Sequence, residues 1–281
     1  PWMAGATAFG LALGLLLVYV REQTDGTFRC GEEVRTALGM PCLALIPRIS
    51  RYALSGMSIE NYAAKKPRSV LTEQLRTLRA GLLWPDHPRV IAITAARAQE
   101  GKTTVTRTLA RLAAMNGEHV IVVDCDFRHP ASAKRAPGLL DYLRDKAVLT
   151  DIIRKDAVTG TDYIAGGKWE TNALGLLMSA AMAQLLLTLR QDYDLVLLDT
   201  PPSEPITDAR IVAGLAEATL LCIRWRHTSR HLALHALERL EEAHANVVGA
   251  ALTQVDIGVH LRSGYADAEV YHPRYGGYFR E

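Results

Sequence analysis

The chain alternates between short apolar runs and longer segments with helical periodicity, a pattern typical of proteins that bury a parallel sheet between two layers of helices. Each run is bounded by turn residues, as expected for a strand that is covered on both faces. The runs that predict strands are residues 90–93, 119–124, 162–165, 194–199, 217–225 and 246–253. The segments that predict helices are residues 69–83, 105–115, 138–153 (two short helices), 179–190 and 229–243. Together they predict an α/β fold with a doubly wound, mostly parallel sheet and right-handed crossovers.

The helix predicted over residues 69–83 is amphipathic. Four leucines fall on one of its faces, namely Leu71, Leu75, Leu78 and Leu82. The remaining surface carries Glu73, Arg76 and Arg79, which are three residues apart and are therefore neighbours along the helix. Spacing alone indicates a solvated face with local ion pairs, each worth only about 0.3–0.5 kcal/mol.

The first twenty residues contain no charged side chain, and Leu11–Val18 are as hydrophobic as the centre of a membrane helix. At about 1.5 Å per residue such a helix is about 28 Å long, close to the hydrocarbon thickness of a bilayer. The alternatives are a buried core helix or a signal peptide, but a signal peptide needs a basic start and a small-residue cleavage site. We therefore expect a transmembrane helix at residues 1–20, with the chain after Arg21 in the cytoplasm. Because the sequence begins at Pro1, we also expect further residues upstream.

The segments that flank the predicted sheet differ from it in composition. Residues 21–68 are interrupted by glycine and proline and contain one short helix candidate near Glu32–Leu38, so we expect a juxtamembrane connector. Residues 255–281 lack apolar periodicity, so we expect a flexible tail. This tail is rich in tyrosine, at Tyr265, Tyr271, Tyr275 and Tyr278. The sheet domain is accordingly expected over residues 69–254.

Charge and cysteine content exclude some functional classes. The 32 lysines and arginines nearly balance the 30 acidic residues, which leaves a net charge of +2. A general nucleic-acid-binding protein would be far more basic, so no nucleic-acid partner is expected. The cysteines follow neither metal-ligand nor redox spacing and are consistent with reduced thiols in the cytosol.

A candidate phosphate-binding loop follows the first predicted strand of the sheet domain. The segment Thr94–Thr104 ends in Gly101-Lys102-Thr103 and leads directly into a predicted helix. Such a loop aims backbone N–H groups and the positive end of a helix at one point, where a polyphosphate can exchange its water for these donors. In this arrangement Lys102 reaches the terminal phosphates and Thr103 reaches magnesium.

Acidic residues follow two of the predicted strands. Asp124 and Asp126 come at the end of one strand, and Asp199 ends another. The carboxyl ends of parallel strands lie at one edge of a sheet, beside the loop. A single aspartate there usually caps a helix, but three such residues around a phosphate loop predict a magnesium site. ATP and Mg²⁺ are therefore the expected cofactors.

These motifs resemble those of the bacterial tyrosine kinases of capsular and exopolysaccharide biosynthesis, which are attached to a chain-length-determining polysaccharide co-polymerase. The matching segments are Glu100–Thr104, Val122–Pro130 and Tyr193–Pro202, and the resemblance extends over nearly the whole chain. It implies a P-loop fold of the deviant Walker, partition-ATPase-like type, preceded by a transmembrane helix.

The resemblance also implies roles for individual residues. Those expected to bind ATP are Ala98, Gln99, Glu100, Gly101, Lys102, Thr103, Thr104 and Arg128. Those expected to be catalytic are Lys102, Asp124 and Asp126, and those expected to hold magnesium are Thr103, Asp124 and Asp199. The hydroxyl of an acceptor tyrosine would attack the phosphate near Asp124 and Asp126, and the sequence leaves open which of these two acids takes its proton.

Two further segments gain a function from the resemblance. Glu73, Arg76 and Arg79 match a motif through which protomers of the family pack, which implies a ring-like homo-oligomer. The four tail tyrosines match a region that is autophosphorylated in trans. The implied partners are the polysaccharide polymerase and export machinery, a cognate tyrosine phosphatase and the membrane. The implied location is the bacterial inner membrane, with the kinase domain in the cytoplasm.

The chain departs from the family pattern in three places. Ala96 replaces the first glycine of the loop, and Ala98-Gln99 replaces a usual Pro-Gly. Glycine at position 99 would adopt a positive φ at little cost, whereas glutamine would not. Thr253-Gln254 replaces an asparagine-containing strand end that commonly meets the base.

Two other functions share much of this sequence pattern. A partition-type P-loop ATPase has the same strands, but it carries a signature lysine where Arg97 lies and normally lacks a membrane span and a terminal tyrosine cluster. A non-catalytic nucleotide-binding scaffold of the export complex would keep the loop without phosphoryl transfer.

Overall fold

The computed structural model describes residues 10, 13–14, 26–83, 86–128, 137–156, 160–168 and 172–271. Within them the strands are β1 (Cys42–Pro47), β2 (Val90–Ala95), β3 (Val120–Asp124), β4 (Ile153–Lys155), β5 (Asp162–Ile164), β6 (Leu195–Asp199), β7 (Ala218–Arg224) and β8 (Val247–Val255). The helices are α1 (Gly31–Leu38), α2 (Arg51–Leu54), α3 (Ile59–Lys65), α4 (Val70–Leu83), α5 (Lys102–Met115), α6 (Leu139–Tyr142), α7 (Leu149–Ile152), α8 (Ala173–Leu177), α9 (Ala180–Asp192), α10 (Thr207–Leu215), α11 (Arg230–Glu242) and α12 (Ile257–Arg262). A 3₁₀ helix follows at Ala266–Tyr271.

All the strands of the described residues form one sheet in the order β1-β8-β7-β2-β6-β3-β5-β4. Neighbouring strands are parallel throughout, except that β4 runs antiparallel to β5. The prediction of a doubly wound, mostly parallel sheet is confirmed. The order places β2, which leads into the candidate phosphate loop, between β6 and β7 and two positions from β3.

Helices cover both faces of the sheet, so its central strands are buried on both sides. One apolar cluster contains residues of α3, α4 and α5, and the other contains residues of α1, α9, α10 and α11. All residues of β2, β3 and β6 are buried, as their uninterrupted apolar sequences require. The four leucines predicted on one face of α4 are also buried, which confirms that prediction.

The predicted connector is partly wrong, because β1 lies within it. Residues 42–47 pair in parallel with β8 and extend the main sheet at that edge. The last four residues of β1 are buried, and α4 packs against the strand. A run of only five apolar residues between Pro41 and Pro47 resembles a linker, whereas its contacts with β8 and α4 are long-range and leave no local signal.

The beginning of the predicted flexible tail is also ordered. Asp256 caps α12 by accepting a hydrogen bond from the Val259 N–H at 3.1 Å. His260 of this helix is fully buried, and the ring of Tyr265 stacks on it with centroids 5.9 Å apart. Tyr271 ends the 3₁₀ helix, whereas the other two predicted phosphoacceptors, Tyr275 and Tyr278, lie outside the described residues. The prediction of a tail without structure is therefore wrong for residues 257–271.

Asp267 fastens this segment to the sheet domain. Its Oδ2 atom accepts a hydrogen bond from the Gly31 N–H at 2.7 Å, and its Oδ1 atom lies 3.0 Å from His260 Nε2. Burial raises the pKa of Asp267, but the hydrogen bonds from His260 and Gly31 outweigh it, so the net pKa lies below the ordinary 3.8. The ionised form is therefore favoured in the folded state, and its contribution to stability is lost only as the pH falls through that lowered pKa.

We expect Asp267→Asn to loosen residues 256–271 at neutral pH. A hydrogen bond to a charged group contributes about 1.5–3 kcal/mol, so local opening should increase by about tenfold or more. Amide hydrogen exchange of this segment measures the change. Glu238→Gln, which removes an exposed charge from α11, serves as the control. Equal exchange rates in the two variants would show that Asp267 does not fasten the segment.

The predicted transmembrane segment, residues 1–20, lies outside the described residues except for Gly10, Leu13 and Gly14. Among the residues that are described, no helix combines the length and the apolar character that crossing a bilayer requires.

Candidate nucleotide site

The candidate phosphate loop connects β2 to α5, as the sequence predicts. Gly101 immediately precedes the helix and has a φ of +89°, in the left-handed region that glycine adopts most readily. A Cβ atom at this position would lie 3.3 Å from the Cβ atom of Thr253, which is a tight contact. The helix begins at Lys102, so its free N–H groups face the loop and form the anion site expected at a helix N-terminus.

Glu100 holds the loop in place through hydrogen bonds, and its side chain is buried. Its carboxylate accepts hydrogen bonds from the Arg97 N–H at 2.9 Å and from the Thr228 hydroxyl. Its backbone carbonyl accepts a hydrogen bond from Thr253 Oγ1 at 2.6 Å. Burial raises the pKa of Glu100, while these donors oppose the change. The sequence places Glu100 in the loop but does not reveal that its side chain fastens the loop to the residues that follow β7.

Gln99 and Gln254 face each other across the same junction. Gln254 Nε2 donates a hydrogen bond to the Gln99 carbonyl at 2.7 Å. Both residues have a positive φ, which is +65° at Gln99 and +57° at Gln254. The sequence-based concern about position 99 is therefore confirmed, because glutamine adopts the conformation that glycine would adopt more easily. Such a conformation costs a residue with a side chain about 1–2 kcal/mol.

We expect Gln99→Gly to stabilise the protein by about 0.5–1 kcal/mol, because relief of the left-handed strain exceeds the larger entropy loss of glycine on folding. Urea unfolding measures the difference. Gln99→Ala is the matched control, since it removes the same side chain and keeps the strain. If the glycine and alanine variants are equally stable, φ at position 99 is not a source of strain.

The residues predicted to be catalytic and to bind magnesium come together at the carboxyl ends of β3 and β6. Lys102 Nζ lies 3.1 Å from Asp126 Oδ2 and 3.8 Å from Asp199 Oδ1. Thr103 Oγ1 donates a hydrogen bond to Asp199 Oδ1 at 3.2 Å. Lys102, Asp124 and Asp199 are each less than a tenth exposed. The site therefore holds one ammonium group among several carboxylates, shielded from water.

The carboxyl group of Asp199 has a pKa well above its ordinary value. Its burial raises the pKa to about 6, although the positive charge of Lys102 opposes this, and the nearby Asp124 raises the pKa further. The raised pKa indicates that nearby positive charge does not fully neutralise the ionised carboxylate. A magnesium ion would supply the missing charge. Hydroxyl and carboxylate oxygens such as those of Thr103 and Asp199 are the ligands that Mg²⁺ prefers.

The described residues contain no group of three or more acidic, histidine or cysteine side chains that could hold a metal ion by themselves. Magnesium at nucleotide sites commonly takes one or two protein ligands and completes its octahedron with phosphate oxygens and water. The donor set around Thr103 and Asp199 fits this kind of site and does not fit a metal cage built from protein alone.

Asp124 has a neighbour that the sequence analysis missed. The Tyr163 hydroxyl donates a hydrogen bond to Asp124 Oδ2 at 2.8 Å, and the Asp126 N–H donates one to Asp124 Oδ1 at 3.0 Å. Tyr163 lies on β5, where its Cα atom is paired with that of Val122 on β3. Because Val122 and Asp124 point to the same face of the sheet, Tyr163 is directed at Asp124. Knowledge of the pairing between β3 and β5 would have been needed to find it.

The remaining predicted nucleotide-binding residues lie around this centre. Ala98 is exposed in the loop, and the Arg128 guanidinium lies 3.7 Å from the buried carboxylate of Asp208 at the start of α10. Thr104 lines a cavity of about 160 Å³ together with Gly101 and Gln254. This cavity adjoins the start of α5 and the end of β8.

The residues predicted to mediate oligomerisation make contacts within the chain. The guanidinium of Arg76 pairs with Glu73 on the exposed surface of α4 and also donates a hydrogen bond to the Pro67 carbonyl at 2.9 Å. Arg79 pairs with Glu118, at the other end of α5 from the loop. A role in packing against a second copy remains a prediction.

Comparisons with known proteins agree with this geometry. A family model described as an AAA domain matches residues 88–249, more than half of the chain. The solved structure of the kinase domain of the Escherichia coli tyrosine kinase ETK covers 78% of this chain and 93% of its own, with 30% identity and a TM-score of 0.72. The chain belongs to the bacterial tyrosine kinase family. The expected family resemblance is thus confirmed for the kinase domain.

Two of the curated relatives are much longer than the chain. The tyrosine-protein kinase Etk of Escherichia coli K12 is 33% identical over 202 residues, which are 69% of this chain and 28% of Etk. The succinoglycan biosynthesis transport protein ExoP of Rhizobium meliloti is 27% identical over 99% of this chain and 40% of its own length. The chain therefore spans less than half of the length of these two relatives.

Proposed function

We propose that this chain is the catalytic part of a protein-tyrosine kinase, which transfers the terminal phosphoryl group of ATP to tyrosine hydroxyls. The observation that carries the proposal is the convergence of a phosphate loop, one buried lysine and three aspartates at one edge of the sheet. Phosphoryl transfer depends mainly on positioning and on neutralisation of charge, and this constellation is suited to both.

We assign the phosphates to the N–H groups of the loop and to Lys102. Thr103 and Asp199 would hold the magnesium ion, which supplies the charge that offsets the phosphates when it is bound. In the structure Lys102 lies between Asp126 and Asp199, so its ammonium group is already at the centre of the negative charge. Because Lys102 and the two acids are largely buried, their interactions are stronger than they would be in water.

The proton of the acceptor tyrosine would pass to Asp124 or Asp126. A phenol has a pKa near 10 and is protonated at neutral pH, so a carboxylate is needed as the acceptor. As the bond from the tyrosine oxygen to the γ-phosphorus forms, the bond from that phosphorus to the bridging oxygen of ADP breaks. The hydrogen bond from the Tyr163 hydroxyl to Asp124 supports this assignment, because in it that carboxylate already accepts a proton donor of the same chemical kind.

We propose Tyr265, Tyr271, Tyr275 and Tyr278 as acceptors, modified in trans within a ring of protomers that pack through Glu73, Arg76 and Arg79. Each phosphate adds about −1.5 to −2 charges, so four would add about −6 to −8 and loosen the ring. Light scattering before and after phosphorylation measures the size of the assembly. An unchanged molar mass would contradict this regulation.

We assign the chain to polysaccharide export, a role supported by the name of ExoP, a succinoglycan biosynthesis transport protein. This role includes anchoring in the bacterial inner membrane through residues 1–20, with the kinase domain in the cytoplasm. It also includes contact with the polymerase and export machinery and reversal of the modification by a cognate tyrosine phosphatase. The hydrophobicity of Leu11–Val18 supports the anchor.

The test is incubation of the chain with Mg-ATP, followed by mass spectrometry of its peptides and measurement of ADP. Phosphotyrosine in residues 265–281 that is lost in Lys102→Met indicates the kinase. Release of ADP without phosphotyrosine indicates a partition-type ATPase, and the absence of both products indicates a nucleotide-binding scaffold. Either of the last two results would overturn the proposal.

A further inference from the structure

A cavity of about 630 Å³ lies beside the candidate nucleotide site, between α3, α5, the edge strand β4 and its neighbour β5. Its volume is in the range of pockets that bind small molecules. The charged residues that line it are Arg107, Arg111, Arg154, Lys155, Glu60 and Asp156. None of these residues has a part in the nucleotide chemistry proposed above.

The charge of this cavity is positive, since four cationic and two acidic side chains leave an excess of two. The guanidinium of Arg111 pairs with Asp156 and also donates a hydrogen bond to Asn61 Oδ1, which orients it. Arg154 donates a hydrogen bond to the Pro137 carbonyl at 3.0 Å, and Lys155 is exposed at the end of β4. The Cα atom of Arg154 is paired with that of Tyr163, so both side chains lie on the same face of the sheet as the cavity, and Lys155 lines the cavity at the end of the strand.

Tyr163 forms the wall between the cavity and the catalytic carboxylates. The guanidinium carbon of Arg107 lies 5.8 Å from the centre of the Tyr163 ring, within the range of a cation–π contact. The hydroxyl of the same tyrosine donates its hydrogen bond to Asp124. A ligand that binds Arg107 would therefore lie one side chain away from Asp124, and outside the phosphate loop.

We propose that this cavity binds a phosphate monoester dianion carried on a ring. An excess of two positive charges matches a dianion, and guanidinium groups suit phosphate oxygens because they donate parallel hydrogen bonds. The volume leaves room for more than the phosphate group itself. The same chemistry is offered by the phosphotyrosine of a peptide and by a sugar phosphate. The proposal goes beyond the kinase activity and does not depend on it.

Isothermal titration of the chain with phenyl phosphate and with glucose 1-phosphate, in the presence of Mg-ADP, tests the proposal. The variant Arg154→Gln/Lys155→Gln removes two cavity charges, and Lys65→Gln/Lys146→Gln removes two exposed charges that do not line the cavity. We expect the first variant to weaken binding of at least one ligand by tenfold or more, and the second variant to bind like the wild type. Thermal unfolding of both variants verifies that they are folded.

The identity of the tighter ligand distinguishes the two sources. Preference for phenyl phosphate indicates phosphotyrosine, preference for glucose 1-phosphate indicates a sugar phosphate, and equal binding supports the shared chemistry. Phenyl sulfate, a monoanion of the same shape, should bind at least tenfold more weakly than phenyl phosphate. The proposal is overturned if neither phosphate monoester binds, if the two double variants bind alike, or if phenyl sulfate binds as tightly as phenyl phosphate.

Discussion

Lys102→Met is expected to lower the rate of tyrosine phosphorylation by at least about 10²-fold, because it removes the ammonium group that the start of α5 places among the carboxylates of the site. It should also lower the free energy of unfolding, since Asp126 and Asp199 lose the ammonium group that lies 3.1 and 3.8 Å from them. Quantitative mass spectrometry of tail phosphotyrosine and urea unfolding measure the two effects. A rate within tenfold of the wild type would contradict the role assigned to Lys102.

Lys102→Arg separates the effect of Lys102→Met on the phosphorylation rate from its effect on the free energy of unfolding. The guanidinium group keeps the positive charge near Asp126 and Asp199, so stability should fall much less than in the methionine variant. The bulkier, planar group does not replace the point charge of the ammonium in the loop, so the rate should still fall strongly. If the arginine variant phosphorylates as fast as the wild type, charge alone is sufficient at this position.

Asp199→Asn is expected to stabilise the protein without nucleotide while preventing magnesium-dependent ATP binding. The pKa of Asp199 is raised from 3.8 to about 6, so ionisation at pH 7 costs the folded state about 3 kcal/mol. Asparagine removes that cost and keeps an oxygen for the Thr103 hydroxyl. Chemical unfolding at pH 7 and titration with Mg-ATP measure the gain and the loss.

The pH dependence of the free energy of unfolding gives a second measure of the raised pKa of Asp199. Its pKa is higher in the folded than in the unfolded state, so the folded state binds more protons. The wild type should therefore become more stable, through this group, as the pH falls from 7 through 6, and Asp199→Asn should lack that gain. Asp151→Asn removes an exposed aspartate of α7 and should behave like the wild type. A parallel pH profile in the wild type and Asp199→Asn would contradict the raised pKa.

Most of the fold could be predicted because its central strands have a strong local signal. The strands that end in Asp124 and Asp199 are continuous apolar runs followed by acids, and the phosphate loop has fixed spacing. Parallel pairing then places the ends of such strands at one edge, so the meeting of Lys102 with the acids follows from topology alone.

The contacts that were missed depend on which strands are neighbours. Tyr163 reaches Asp124 because β5 lies beside β3, and Thr228 reaches Glu100 because β7 lies beside β2. Neither pairing has a signature in the sequence. The strand β1 was missed for a related reason, since its apolar run is short and its partner β8 lies about two hundred residues away.

Val255 separates two functions of the same strand. The residue before it, Gln254, holds the phosphate loop, and the residue after it, Asp256, caps the helix that leads to the tyrosines. Val255 is fully buried, and its carbonyl accepts a hydrogen bond from the Arg48 N–H at 2.8 Å. A displacement of the segment that begins at Asp256 therefore need not disturb the loop. The conformation of the phosphate loop is in this way mechanically decoupled from the position of the segment that follows Val255.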